Sequence, residues 1–143
     1  MMSTKQFRML LVFYFVSLIA FFTVDFIPGV YPALLDELKA HLPDPEFFGM
    51  PWLLFGVGVP LVFASLLGLV GLFLLKPWGR FISLYSTLIS FFLYPVLGAT
   101  VSSGSQAALA EISAILWGAV LACAYFSPVS AQFSKNRSVE GGI

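Results

Sequence analysis

The sequence predicts an all-α protein, an integral membrane four-helix bundle with antiparallel, up-down topology. The first observation behind this prediction is a set of apolar segments at residues 9–27, 52–75, 81–101 and 107–127. Each is close to the roughly 20 residues that an α-helix needs to cross the hydrocarbon of a bilayer. The second is composition, since 59% of the 143 residues are hydrophobic, 10% are charged and the mean hydropathy is +0.97. A soluble domain of this length would expose too much apolar surface.

The third observation is the distribution of charged side chains once the segments are threaded alternately through the bilayer. One side receives most of the cations, which are Lys5, Arg8, Lys76, Arg80, Lys135 and Arg137. The other receives Lys39 and the carboxylates Asp25, Asp36, Glu37, Asp44, Glu46 and Glu111. Because short cytoplasmic loops carry the excess of Lys and Arg, we expect both termini in the cytoplasm of a bacterial-type inner membrane. We expect the lipid bilayer to surround the chain. Because the net charge is zero and no basic face is predicted, we expect no nucleic-acid partner.

The first segment, residues 9–27, has a rival interpretation as a secretory signal peptide, because Lys5 and Arg8 precede it. Its apolar stretch is longer than the core of such a peptide, and no cleavage site of the A-x-A type follows it. We therefore expect this segment to be retained as the first span, which Pro28 and Gly29 would end.

The longest connection, residues 28–51, is predicted to carry a short amphipathic helix. Its apolar face would be formed by Leu34, Leu35, Leu38 and Leu42. A piece of about ten residues is too short to span a bilayer and would lie in the plane of the headgroups. Such a segment either caps the outer end of the bundle or serves to dock a partner or gate a substrate.

Two short turns make the remaining spans neighbours. Residues 76–80 combine the helix breakers Pro77 and Gly79 with an interfacial Trp78, and residues 102–106 form a second, polar turn. Short turns join antiparallel neighbours in helical bundles. Residues 1–134 are therefore predicted to form a single membrane domain, and residues 135–143 a disordered cytoplasmic tail.

Small residues recur every four positions in the second and fourth spans. The second span carries Gly56, Pro60, Ala64 and Gly68, and the fourth carries Ala110, Ala114, Gly118 and Ala122. Small residues let helix backbones approach closely in a membrane. Both stripes are candidate helix-packing interfaces, either within the bundle or with a second copy or another membrane protein. Pro60 also predicts a kink, since it removes a backbone donor.

Hydroxyl groups follow one face of the third span, at Ser83, Thr87, Ser90 and Tyr94. Such groups either bond to neighbouring helices and to the backbone one turn back, or line a water-filled cavity. The line is therefore a candidate polar site, with interhelical bonding as the simpler interpretation.

Asp25 and Glu111 are the candidate proton or ion-binding groups. Ionisable residues inside a membrane are costly and mark functional sites by default. If the first and fourth spans pack together, the two carboxylates would lie at similar depth and form a protonatable pair. The alternative is that both reach water near the outer headgroups, where Glu111 would also favour the positive end of its helix dipole.

No metal, cofactor-binding or catalytic set is predicted. His41 is the only histidine, and no spacing of Asp44 or Glu46 makes a dedicated metal site with it. Cys123 is the only cysteine, so the chain cannot form an intrachain disulfide.

These features favour a non-enzymatic accessory, assembly or interaction subunit, without a cofactor, whose helix faces recognise another copy or another membrane protein. The alternative is a small oligomeric transporter or channel that uses Asp25, Glu111 and the hydroxyl line. The chain is similar in size to the small multidrug-resistance transporters, but it lacks their carboxylate in the middle of the first span. A membrane enzyme is the third interpretation, for which the chain offers few acid, base or metal groups.

Overall fold

The computed structural model describes residues 3–27, 37, 40–41, 54–96 and 102–133, and this part of the chain is helical without any strand. The helices are α1 (Thr4–Thr23), α2 (Val59–Phe73), α3 (Pro77–Leu93) and α4 (Gly104–Phe126). Short 3-10 turns follow α1 and α3, at Val24–Phe26 and Tyr94–Val96, and a π-helical turn, Leu54–Gly58, precedes α2. The predicted all-α class is thereby confirmed for the described residues.

Among the described residues, three helical runs are long and apolar enough to cross a membrane, namely Thr4–Thr23, Phe55–Phe73 and Gly104–Phe126. The helix in the predicted third span is shorter than the apolar segment at 81–101. It starts earlier because Pro77 occupies its first turn, where the missing N–H is not needed. It gives way to a 3-10 turn at Tyr94 because Pro95 disfavours helical backbone in the residue before it.

Side-chain caps set where α1 and α4 begin. The Ser3 hydroxyl accepts a bond from the Gln6 N–H, and the Gln6 side chain accepts one from the Ser3 N–H, at 3.3 and 2.7 Å. This reciprocal capping box starts α1 at Thr4, ahead of the apolar segment that begins at residue 9. Ser103 caps α4 by accepting from the Gln106 N–H at 3.2 Å.

The turn between α2 and α3 is a Schellman motif with a leucine where glycine is usual. Leu75 has a φ of 56°, in the left-handed region. The Leu75 and Lys76 N–H groups donate to the carbonyls of Leu72 and Gly71, at 3.1 and 2.8 Å. Leu75 is also buried in the apolar core, so its burial offsets the backbone strain of about 1–2 kcal/mol. The turn therefore lies at 74–76, and the prediction that Pro77 and Gly79 break the helix is wrong. Both residues belong to the first turn of α3, where proline is tolerated and Gly79 packs against α2.

Pro60 lies where the hydrogen-bond pattern of the second span changes. The backbone is π-helical over Leu54–Gly58 and α-helical from Val59 onward. Proline cannot donate the bond to the carbonyl four residues before it, so a regular α-helix cannot continue through this point. The predicted kink site therefore coincides with an irregular turn.

The apolar core sits at one end of the molecule. It contains Phe7, Leu11, Leu72, Leu75, Val120, Ala124, Val129 and Phe133. At this end the Arg8 guanidinium lies over the Phe73 ring at 5.4 Å, and the Arg80 guanidinium lies over Phe133 at 4.7 Å. The end that carries Lys5, Arg8, Lys76 and Arg80 is called the basic end below.

Two predicted segments lie almost wholly outside the described residues. They are the connection at 28–51 with its interfacial helix, and the tail at 135–143. Within the first, Glu37, Ala40 and His41 are helical, and the Nδ1 atom of His41 is 2.8 Å from the Glu37 carbonyl oxygen.

Candidate functional site

The contact between α2 and α3 is made by backbone. A Cβ atom added at Gly71 would lie 2.6 Å from the Cα atom of Gly79 and 2.6 Å from the Trp78 ring. One added at Gly68 would lie 2.5 Å from the Ser83 hydroxyl oxygen and 3.0 Å from its backbone nitrogen. Positions 68 and 71 thus meet 83 and 79 in reverse order, which makes the two helices antiparallel. Only glycine fits this close approach.

The contact between α1 and α4 is made by side chains. The hydroxyl oxygens of Ser17 and Ser113 are 2.7 Å apart in a buried position. One turn nearer the basic end, the rings of Tyr14 and Trp117 lie 4.7 Å apart with an interplanar angle of 30°. A hydrogen bond between polar side chains and a ring contact therefore hold these two helices.

Trp117 also connects α4 to α3. Its indole N–H donates to the Thr87 hydroxyl at 2.7 Å, and that hydroxyl donates to the Ser83 carbonyl at 2.7 Å. Ser86 donates to the same carbonyl at 3.1 Å. Within the predicted line, the Thr87 hydroxyl thus bonds both to a neighbouring helix and to the backbone one turn back.

The four members of that predicted line have different surroundings. Ser83 is fully buried, and its hydroxyl has no hydrogen-bond partner within the described part of the chain. Thr87 and Ser90 are half-buried, whereas Tyr94 is 70% exposed. The line therefore runs from the packed interior at Ser83 to the surface at Tyr94.

Glu111 lies on the outward face of α4. It is exposed, whereas Val120, about two and a half turns along the helix and so on the opposite face, is fully buried. Ser113 and Trp117 belong to the buried face. Glu111 therefore does not share the face of α4 that carries Ser113 and Trp117. Asp25 lies in the 3-10 turn after α1, and its side chain falls outside the described residues.

The two small-residue stripes are placed differently. In the second span Gly68 packs against Ser83, Ala64 is half-buried, and Gly56 and Pro60 are exposed. In α4 the whole stripe of Ala110, Ala114, Gly118 and Ala122 is exposed, and a Cβ atom at Gly118 would meet nothing within 4 Å. No helix of the described residues therefore packs against the α4 stripe.

At the basic end, Arg80 is held by two aromatic rings and a carbonyl group, an arrangement that the sequence did not predict. Arg80 of α3 donates to the Ala124 carbonyl of α4 at 3.4 Å, and its guanidinium lies between the rings of Tyr125 and Phe133, at 5.5 and 4.7 Å. Ala124 is in the last turn of α4, where carbonyls lack helical donors and the dipole is negative. Arg80 thus supplies both a donor and a charge to that helix end.

The described residues hold no group of three His, Cys, Asp or Glu side chains that could bind a metal ion. Cys123 is a free, half-buried thiol in α4.

Comparison of the chain with models of protein families, with curated proteins and with solved structures gave no match.

Proposed function

We propose that this chain is a non-enzymatic, multi-pass protein of a bacterial-type inner membrane that acts as an accessory, assembly or interaction subunit. Its contact surface is the outward face of α4, formed by Ala110, Glu111, Ala114, Gly118 and Ala122. The exposure of this whole small-residue stripe is the observation that carries the proposal.

The stripe is suited to helix association because small residues let a second helix approach closely, and lipid offers no hydrophobic force to replace that contact. The polar side chains of the interior support the same function. Hydrogen bonds join Ser17 to Ser113, Trp117 to Thr87, and Thr87 to the backbone of its own helix. These polar groups therefore hold the helices together and do not line a path for ions or solutes.

The proposed topology is a four-span antiparallel bundle in which α3, extended by its 3-10 turn, forms the third crossing. The basic end lies in the cytoplasm, since Lys and Arg are retained on that side. This arrangement puts Glu111 near the outer headgroups. A phosphatase or fluorescent protein fused to the C terminus tests it, with activity of the phosphatase on the outer side as the result that would contradict it.

The function is tested by measuring the mass of the protein in native-like lipid particles, with co-purifying proteins identified in the same sample. We expect a complex larger than the single chain, either with another membrane protein or with a second copy. Gly118→Leu should reduce the mass to that of the single chain while leaving the fold intact, because no side chain of the described residues lies within 4 Å of that position.

The matched control is Gly56→Leu, the same change at another exposed glycine with nothing within 4 Å. It should leave the complex unchanged. A single-chain particle for the wild type, or equal loss of the complex in both variants, is the result that would reject α4 as the interface. A homo-oligomer in which Glu111→Gln abolishes pH-dependent ion flux would favour the transporter interpretation instead.

A further inference from the structure

An apolar groove lies between α1 and α2, and the proposed function does not use it. The groove has a volume of about 350 Å³ and forms because α1 packs against α4, and α2 against α3, much more extensively than α1 packs against α2. Its lining includes Val12, Phe15, Leu66, Val70, Phe73 and Leu74. All the lining side chains among the described residues are apolar, so the groove suits a hydrocarbon chain.

Cations lie at one end of this groove. Lys5 and Arg8 precede Val12 and Phe15 on the same face of α1, since these positions are three or four residues apart. Both cations are exposed. The Arg8 guanidinium is 5.4 Å from the centroid of the Phe73 ring, and Phe73 itself lines the groove. The positive charge of Arg8 therefore lies directly beside the apolar lining of the groove.

The distance along α1 from the cations to the apolar lining suits a lipid whose phosphate lies at Arg8 and whose acyl chain begins in the groove. Arg8 and Phe15 are about 10 Å apart along α1 from the helical rise. A phosphate against Arg8 would thus place the first part of an acyl chain beside Val12 and Phe15. Basic pockets between membrane helices on the cytoplasmic side are a recurrent way of binding anionic headgroups.

We propose that the groove binds an anionic phospholipid, with its phosphate at Arg8 and Lys5 and one acyl chain between α1 and α2. A zwitterionic lipid gains less at this site, because its own cation compensates the phosphate. The lining of the groove includes no residue of α4, so lipid binding there does not require the α4 interface.

Native mass spectrometry of the full chain in detergent tests the proposal, with equal amounts of phosphatidylglycerol and phosphatidylcholine of identical acyl chains. The wild type should retain phosphatidylglycerol in preference. Arg8→Gln should lower the ratio of the two bound lipids about fivefold, as expected for one cation near an anionic surface. Phosphatidylcholine binding should fall much less than phosphatidylglycerol binding, and Arg8→Lys should preserve the preference.

Two controls separate the site from general charge and from phosphate binding alone. Arg137→Gln makes the same change of charge in the C-terminal tail and should leave the lipid ratio unaltered. Val70→Phe adds bulk inside the groove and should reduce retention of both lipids. The proposal is overturned if Arg8→Gln leaves the ratio at the wild-type value, if Arg137→Gln lowers it equally, or if inorganic phosphate displaces phosphatidylglycerol completely.

Discussion

The contact between α2 and α3 is made by glycine backbone, whereas the contact between α1 and α4 is made by hydroxyl and aromatic side chains. At Gly71 and Gly79 the two backbones approach so closely that neither position has room for a Cβ atom. Around Trp117 the helices stay far enough apart for a tyrosine ring and two serine hydroxyls to lie between them. Membrane helices use both means of association because burial of apolar surface gains little in lipid.

We therefore expect the two contacts to respond to opposite kinds of substitution. Added volume should damage the α2 and α3 contact, while removal of a polar atom should damage the α1 and α4 contact. The quantity compared among the variants is the free energy of unfolding in mixed detergent, followed by far-UV circular dichroism.

Gly79→Ala is expected to have the largest effect. Its Cβ atom would meet the backbone of Gly71 and Leu72, which cannot move aside as a side chain can. Overpacking of this kind costs about 1–3 kcal/mol, so the midpoint of unfolding should fall clearly. Gly118→Ala is the control, since a Cβ atom there meets nothing within 4 Å and alanine favours a helix. Equal stability of the two variants would show that the contact with Gly71 is not tight.

Trp117→Phe should have the next largest effect, a loss of about 1 kcal/mol. The phenyl ring can still lie against Tyr14, but the hydrogen bond to Thr87 is lost. In a double-mutant cycle with Thr87→Val, the two losses should not add, because both variants remove the same bond. Strictly additive losses would contradict a bond between these side chains.

Ser17→Ala should cost less, about 0.6 kcal/mol, the average for hydrogen bonds between membrane helices. Its partner Ser113 would then be left without the bond. The double variant with Ser113→Ala should therefore lose less than the sum of the two single variants, since no unpaired hydroxyl remains. A sum of independent losses would be evidence against the pairing.

Ser83→Ala should have the smallest effect, within about 0.5 kcal/mol of the wild type. Its hydroxyl has no hydrogen-bond partner in the described part of the chain, and the nearby Ser86 and Thr87 bond to the Ser83 carbonyl, which the change retains. Comparison with Ser17→Ala then separates a hydroxyl that fills space in the α2 and α3 contact from one that joins two helices. A loss as large as that of Ser17→Ala would remove this distinction.

Much of the helical architecture could be predicted from local features. The apolar segments indicated helices in the regions of α1, α2, α3 and α4, and Pro77 and Pro95 account for where α3 begins and ends. The start of α1 at Thr4 was missed because hydropathy marks the apolar part of a helix, whereas its first residue is set by the Ser3 cap.

The partners of individual side chains could not be predicted in the same way. The spacing of Ser83, Thr87, Ser90 and Tyr94 indicates a shared face, but not that Thr87 accepts from Trp117 while Tyr94 is exposed. The contact of Arg80 with Ala124 joins residues 44 positions apart. Periodicity describes one helix at a time and contains no information on which neighbour a face meets.

Local features of the amino-acid sequence are enough to indicate that this chain is helical and apolar enough to lie in a membrane, and that its cations fall near particular helix ends. These properties depend on residues close together in the chain, through hydropathy, proline and capping. That Gly68 faces a neighbouring helix while Gly118 and Glu111 face outward is known only from the packed helices. The physical reason is that the rotation of each helix about its axis is set by packing against the others.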